Sequence, residues 1–462
     1  MHNLLSSLLV LLFVSGCTMI PKYERPTAPV PAQLPGIAPN PDAVRNAVDL
    51  PWRNFVRDDK LRQLIELSLE HNRDLQLAAL NAESVREFYN IQRAELYPSV
   101  YATGSAARQK SSQYFLLPGQ DRRGNTFQAN LGLLSWEIDL FGKLRSLSES
   151  ALQEYFATEE TRRGAQIMLI SSVANAYLGL AAENESLQLA EDTLQSQQEA
   201  LDLVSKQFEQ GLVTELDLKR AQIPRDSARV DVAHYGRRVE QAKNALQFLL
   251  GCAIPTELMP ETLSKLPKTA ELAPELNSEV LLQRPDIIAA EHRLLSALAN
   301  IGAARAAFFP NISLTSTIGL ASTQLSDLFS SDSGTWLFAP QLALPIFDAR
   351  VWAAHRVSKT QQKLALTQYE RAIQNAFRET ADSLALCESI GVQVQAQEAL
   401  VEAVTQAYDL ARVRYETGID NYLSVLDAQR SMFAAQQGLI VMKLAEHSSY
   451  WQLYSVLGGG GE

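Results

Sequence analysis

Side chains able to do covalent or metal chemistry are few in this sequence, and their spacing leaves most of them isolated. Six histidines, His2, His71, His234, His292, His355 and His447, never pair at a ligand spacing, and the three cysteines Cys17, Cys252 and Cys387 lie far apart. No nucleophile elbow or phosphate loop is present. The run Gly458 to Gly461 has no following Lys-Ser/Thr and no helix behind it, so it reads as a flexible tail. Neither a catalytic residue nor a bound metal or cofactor is expected. Cys252 follows a helix end at Leu249-Leu250-Gly251, and Cys387 takes a seam position equivalent to Leu180. Both read as small buried apolar residues, because a free cysteine packs as a hydrophobe.

Cys17 is different. Leu4 to Val14 is a short apolar segment that ends Val14-Ser15-Gly16-Cys17. Its length fits a cleaved export signal and falls short of a membrane span. Small residues directly before a cysteine resemble the bacterial lipobox, at which Cys17 becomes the acylated first residue of the mature chain. The segment before it departs from the usual pattern, with only the amino terminus and His2 as cations. Thr18, where a retention signal would place Asp, implies release to the outer membrane.

The elements that would position any other functional residue are long helices. Val173, Leu180, Leu187, Leu194, Leu201 and Phe208 fall every seventh residue, with Ala176, Ala190 and Val204 between them. A heptad repeat sustained this long predicts a helix packed on other helices as a left-handed coiled coil. It stops at Gly211, which suits the left-handed backbone of a C-cap, and a second amphipathic pattern starts at Leu216. The result is a helical hairpin.

The chain makes that hairpin twice, about 207 residues apart by simple offset of the sequence. Phe208 and Gly211 correspond to Tyr415 and Gly418, Ala221-Gln222 to Ala428-Gln429, and Leu250-Gly251 to Leu457-Gly458. Upstream, Asp74 and Pro98 match Asp286 and Pro310. The expected organisation is a signal peptide over 1–16, a lipidated proline-rich strap over 17–51, and repeat one over 52–251. A linker over 252–284, repeat two over 285–458 and a tail over 459–462 follow.

Within each repeat the period changes in the same order. Helical spacing runs from Trp52 to Tyr97, where Pro98 ends it. Strand spacing follows over Ser99 to Ala107, then over Phe127, Ala129, Leu131 and Leu133. After Leu134 the phase slips to Trp136, Ile138 and Leu140, as at a β-bulge. The long helix Leu144 to Gln210 would run about 100 Å, and its return helix should kink at Pro224. Repeat two places a helix over Ile287 to Phe309, alternation over Ile312 to Leu320, and a strand from Trp336 to Phe347 with irregular pairing at Pro340 and Pro345. Long helices over Val351 to Thr417 and Leu423 to Leu457 complete it. The last shows two apolar lines, one through Leu426, Phe433 and Ile440, the other through Ala428, Ala435 and Met442. Two seams mean a neighbour on each side, as in a ring of helices; a solid bundle core gives a similarly wide face.

A net charge of −11 disfavours nucleic acid as a partner. No run of about 18 apolar residues follows the N-terminus, so a helical span is excluded while a barrel is not. Four strands are each near the roughly 10 residues that cross a bilayer. Four cannot close, and closed membrane barrels start at about eight strands. The strands must therefore pair between subunits, around a pore.

Several stretches are similar to the outer membrane efflux protein family, in its OprM-like lipoprotein branch of TolC-like channels. They are Trp52-Arg53-Asn54-Phe55, the run Trp136 to Lys143, Arg284-Pro285-Asp286, Phe309-Pro310, Pro345-Ile346-Phe347, and above all the run Arg414 to Leu423 with Leu426-Asp427-Ala428-Gln429. The resemblance implies a mainly α, mixed fold: a homotrimer whose twelve-stranded β-barrel joins a twelve-helix α-barrel. It implies a passive exit duct for drugs or other small toxic molecules, docked to a periplasmic membrane-fusion adaptor and an inner-membrane transporter of the resistance-nodulation-division type. Energy would come from that pump. The duct would sit in the outer membrane, lipid-anchored, with its helices in the periplasm. Met and His do not cluster, against a dedicated copper or silver exporter. The alternatives are the outer membrane exit of a type I protein secretion system and, from another class, a poreless periplasmic coiled-coil scaffold.

The resemblance also places a periplasmic gate around Tyr415, Asp420, Leu423, Ser424 and Asp427. Repetition around an axis would turn one Asp into a carboxylate ring that attracts cations and resists closure at high pH. Related channels often carry an acidic residue where Ser424 stands and a basic one where Asp420 stands, so their particular salt-bridge lock is not carried over to these positions. The exposed turns, Gly211, Leu212, Val213 and Thr214 in one hairpin and Gly418, Ile419, Asp420 and Asn421 in the other, are the expected adaptor contacts. Plain capping turns and solvated charges at a helix start remain the alternative at these positions.

Overall fold

A computed structural model describes residues 18–34, 51–115, 121–267 and 278–459. The signal peptide and Cys17 lie outside the described residues, as do 35–50, 116–120, 268–277 and 460–462. The chain divides into two compact units. One comprises Met1–Thr27, Asn81–Glu159 and Ala289–Tyr369; the other comprises Ala28–Leu80, Glu160–Ile288 and Glu370–Glu462.

In chain order the elements are α1 (Trp52–Phe55), α2 (Asp59–His71), α3 (Arg73–Ala94), β1 (Val100–Lys110), β2 (Arg123–Ile138), α4 (Lys143–Glu209) and α5 (Glu215–Leu250). Then come α6 (Pro285–Ala306), β3 (Asn311–Ser322), β4 (Gly334–Ala343), α7 (Ala349–Glu416) and α8 (Tyr422–Val456). Two strands and a pair of long helices thus recur. The four strands make one antiparallel sheet in the order β1-β2-β3-β4.

The sheet sorts its side chains by face. Cross-strand partners place Ala102, Leu131, Ile318 and Trp336 in one row, with Val100, Leu133, Ser316 and Phe338 in the next row on the same face. The opposite face carries Thr103, Asn130, Gly319 and Thr335, then Ser105, Gln128 and Ala321. The phase slip in β2 is a bulge: Leu133 pairs with Ser316 but Trp136 with Leu314, so one extra residue is absorbed. Because of it, Trp136 and Ile138 stay on the apolar face with Leu131 and Leu133. Pro340 pairs with Leu314 in unbroken register, contrary to the expected irregularity. It stands on the outermost strand of the chain's own sheet, where proline is best tolerated. Pro345 lies beyond the end of β4.

The helical stretch after Trp52 is three helices. Asn72 separates α2 from α3 with ψ at 127°, and its side-chain oxygen accepts from the Leu75 N–H at 2.9 Å while its amide donates to the Leu249 carbonyl at 2.9 Å. One asparagine caps a new helix and ties it to the end of α5, which apolar spacing does not reveal. There Gly251 (φ +70°) admits the His71 carbonyl, which a Cβ would meet at 2.4 Å. Phe55 stacks on Tyr454 at 4.5 Å and meets Trp451 edge-on at 4.9 Å, while the Arg53 guanidinium lies over the Trp52 ring. These contacts account for the Trp, Arg and Phe of the Trp-Arg-Asn-Phe motif.

Other expectations need adjustment. Within α4 an 18-residue stretch is apolar enough for a membrane span, although most of it is buried in the protein. It is the wide helix-packing face, where Val173, Ala174, Leu180 and Ala181 are fully enclosed. Cys252 and Cys387 are half-buried, less enclosed than expected. The Cys387 thiol donates to the Ser449 carbonyl, and burial pushes its pKa up. Gly459 is buried against the Tyr454 ring and donates to the Tyr454 carbonyl at 3.0 Å, so it does not belong to a loose tail. Helix α5 continues through Pro224.

The described part of the strap, 18–34, is extended but pinned. Tyr23 donates to Glu291 at 2.7 Å, and Arg25 grips the same carboxylate at 2.9 and 2.6 Å. Burial pushes Glu291 up, but the Arg25 and Tyr23 hydrogen bonds outweigh it and hold the carboxyl below its usual range. Further along α6, Gly302 leaves room for Ile20, which a Cβ would meet at 2.7 Å, and Arg305 donates to the Met19 carbonyl.

Candidate functional site at the hairpin tips

Helices α4 and α7 end in the same turn. Gly211 and Gly418 take φ +70° and +75°. The Gly211 N–H donates to the Phe208 carbonyl and the Leu212 N–H to Gln207, both at 2.9 Å; Gly418 to Tyr415 and Ile419 to Arg414 repeat the pattern at 2.9 and 2.8 Å. This is the Schellman arrangement, in which two otherwise orphaned carbonyls at the helix end are satisfied. A Cβ on either glycine would meet nothing within 4 Å, so only the backbone demands glycine there.

The return helices start differently. Thr214 caps α5: its hydroxyl oxygen accepts from the Asp217 N–H at 3.3 Å, and Asp217 accepts from the Thr214 N–H at 3.1 Å, a reciprocal capping box. The Thr214 hydroxyl also donates to the Asp217 carboxylate at 2.7 Å, and this bond together with the Thr214 N–H holds the carboxyl below its usual range. Asn421 caps α8, its side chain accepting from the Ser424 N–H at 3.3 Å. The second turn therefore leaves its acid free for another partner. Asp420 receives the Arg414 guanidinium through two bonds, Nε to Oδ2 at 2.6 Å and Nη2 to Oδ1 at 3.2 Å. The Arg414 hydrogen bond holds Asp420 low.

The two tips share a small core. Leu201, Val204 and Ala221 are buried together, with Val213, Leu218 and Tyr422 packed on them. Tyr415 lies 5.2 Å from Tyr422, ring to ring. Burial, then the neighbouring Tyr415 and Tyr408, pushes the Tyr422 phenol up to about 12. Tyr415 is raised by burial and then by the charge of Asp217 on the first hairpin.

Of the expected gate residues, Tyr415 and Asp420 are thus engaged within the tip. Leu423, Ser424 and Asp427 are exposed, with Asp427 paired to Arg430. Gly211, Leu212, Thr214, Gly418, Ile419 and Asn421 are exposed and Val213 is half-buried in the shared core. Asp420 is not the bare carboxylate expected, since an arginine six residues earlier in the chain neutralises it. Arg414 and Tyr422 were not singled out by spacing. Their signal is an Arg and an Asp straddling a glycine turn, and an aromatic directly after a helix cap. Among the described residues, no three His, Cys, Asp or Glu gather as a metal ion would require.

Comparison with known proteins covers both repeats. A family model described as outer membrane efflux protein matches residues 64–252 and 276–459. The chain is 44% identical over 462 residues to TtgC of Pseudomonas putida, a probable efflux pump outer membrane protein, covering 99% of this chain and 96% of the relative. It is 39% identical over 456 residues to the cation efflux system protein CusC of Escherichia coli O157:H7, covering 98% and 97%. The open state of the MtrE outer membrane channel of Neisseria gonorrhoeae superposes with a TM-score of 0.87 at 38% identity, covering 96% of this chain and 99% of that one.

Proposed function

The chain belongs to the outer membrane efflux protein family, and we propose from that premise that three copies close their sheets into one barrel and act as the exit duct of a tripartite pump. The protein is an outer membrane efflux channel with a periplasmic helical part; its family consists of transport channels, which supports a non-catalytic role and favours efflux over a protein-secretion exit or a poreless scaffold. The single observation behind trimeric closure is the four-stranded sheet with one apolar face, one polar face and two unpaired edges. In hydrocarbon an open edge leaves peptide groups unsatisfied at several kcal/mol each, roughly. Pairing β1 of one copy with β4 of the next removes both edges, turns the apolar face to lipid and lines the lumen with Thr, Ser, Asn and Gln.

In this reading the gate lies at the hairpin tips. Arg414 and Asp420 brace the second turn, Tyr415 and Tyr422 join it to the first hairpin, and Leu423, Ser424 and Asp427 face the passage. Gly211 to Thr214 and Gly418 to Asn421 are the contacts for a periplasmic adaptor, which links the duct to an inner-membrane transporter of the resistance-nodulation-division type. Cys17 carries the lipid. The strap beyond it runs along α6 to Glu291, so acyl chains would enter the membrane near the barrel base. Domain limits follow the two repeats, 52–251 and 285–458, around a linker over 252–284.

Cysteine cross-linking tests the closure. Thr103→Cys on β1, combined in turn with Leu337→Cys, Ala339→Cys or Gln341→Cys on β4, should give covalent three-chain species for at least one pair. Products confined to single chains for all three pairs would rule out edge-to-edge closure.

A further inference from the structure

The two strand hairpins end in opposite charge. Between Arg108 and Arg123 the first carries Arg108, Lys110, Arg122 and Arg123 against one acid, Asp121. The second, between β3 and β4, carries Asp327 and Asp332 and no base. Register sharpens this. Lys110 stands directly opposite Arg123, and Arg108 one row below, opposite Asn125. All three are exposed and belong to the apolar face of the sheet, the face of Leu131 and Ile318. Among the described residues none of the three has an ion-pair partner. Like charges facing across a ladder destabilise it, so an unoccupied site would carry a standing cost.

Depth along the strand indicates what offsets it. The apolar face runs from Ile138 to Phe127, about 33 Å of strand at ~3.3 Å per residue once the bulge is discounted. Tilted by roughly 40°, that is about 25 Å, the height of a barrel's apolar band. Asn125 and Arg108 come one row past this band, and Arg123 and Lys110 the row after. At the hairpin end, away from the periplasmic helices, that depth is the headgroup layer of the outer leaflet.

We propose that Arg108, Lys110 and Arg123 form a docking site for the phosphorylated headgroup of an outer-leaflet lipid. The proposal rests on the reading that these strands span the outer membrane. Two guanidiniums grip phosphate oxygens bidentately and the lysine adds a point charge, while the acyl chains lie along the apolar face below. The lipid thereby screens the Lys110–Arg123 repulsion and staples β1 to β2.

The test uses the purified full-length protein and an R108Q/K110Q/R123Q variant, each titrated in detergent with fluorescent bisphosphoryl lipid A, with its dephosphorylated form, and with inorganic phosphate as competitor. A charge-keeping R108K/R123K variant and a planar-bilayer conductance check accompany them. The triple variant should bind bisphosphoryl lipid A at least about tenfold more weakly at roughly 0.1 M salt, and the gap should collapse near 1 M, where charges are screened within ~3 Å. The charge-keeping variant should retain most of the affinity, dephosphorylated lipid should not distinguish the proteins, and inorganic phosphate should not compete. Equal binding by wild type and triple variant overturns the site. So does an equal loss of oligomer stability with and without lipid, which would assign the basic residues to the acidic loop of a neighbouring copy. If the wild type forms no conducting barrel at all, the membrane reading itself falls and takes the site with it.

Discussion

The two hairpin tips share a backbone and differ in what their charges do. Both end a helix of more than sixty residues in a Schellman turn on a left-handed glycine. The first commits its acid, Asp217, to capping the next helix; the second caps with neutral Asn421 and commits Asp420 to Arg414 across the turn. One carboxylate therefore secures a helix start, while the other holds a contact that can break without unwinding anything. That difference supports the proposed gate on the second hairpin, where the family resemblance suggests it.

Four perturbations would break or sharpen the contrast. The largest effect is expected at the glycines. Gly418→Val, or the same change at Gly211, forces a β-branched residue into a conformation costing about 1–2 kcal/mol. It should abolish drug resistance in cells while oligomer abundance on gels stays normal; preserved resistance would remove the tips as adaptor contacts. Next, Asp420→Ala with Asp427→Ala should raise single-channel conductance severalfold in planar bilayers, with Arg414→Ala moving it the same way. Unchanged conductance in all of them would detach these residues from the gate.

Acid should act on the same pair. Arg414 depresses the Asp420 pKa, so the bond is intact above the ordinary carboxylate range and is lost only as pH falls through the lowered value. Conductance should stay flat from neutral pH down to about 4 and rise below that, a rise absent from Asp420→Ala. The smallest effect belongs to the first tip. Thr214→Ala removes a cap worth about 1 kcal/mol, which should lower the thermal midpoint slightly and leave conductance alone. A large conductance change there would erase the distinction between the tips.

Much of this was legible beforehand because it follows from period and punctuation. Gly211 and Gly418 end their helices where the heptads stop, and the slip after Leu134 became the bulge between Leu133 and Trp136. What period and punctuation do not show depends on side chains reaching across space. Asn72 breaks a helix because its amide finds the Leu249 carbonyl 177 residues away. Pro340 keeps its register because β4 lies outermost in the chain's own sheet, a property of strand order. The strap is pinned because Glu291, near the start of repeat two, receives Tyr23 and Arg25. At the proposed gate, Asp420 is visible in the sequence as a charge, but its neutralisation by Arg414 depends on the turn's geometry.

The most direct measurement is the mass of the purified, detergent-solubilised protein, taken together with ion conduction after reconstitution. Assemblies of three chains that conduct across the bilayer are the predicted result. Single chains that leave liposomes sealed would contradict it.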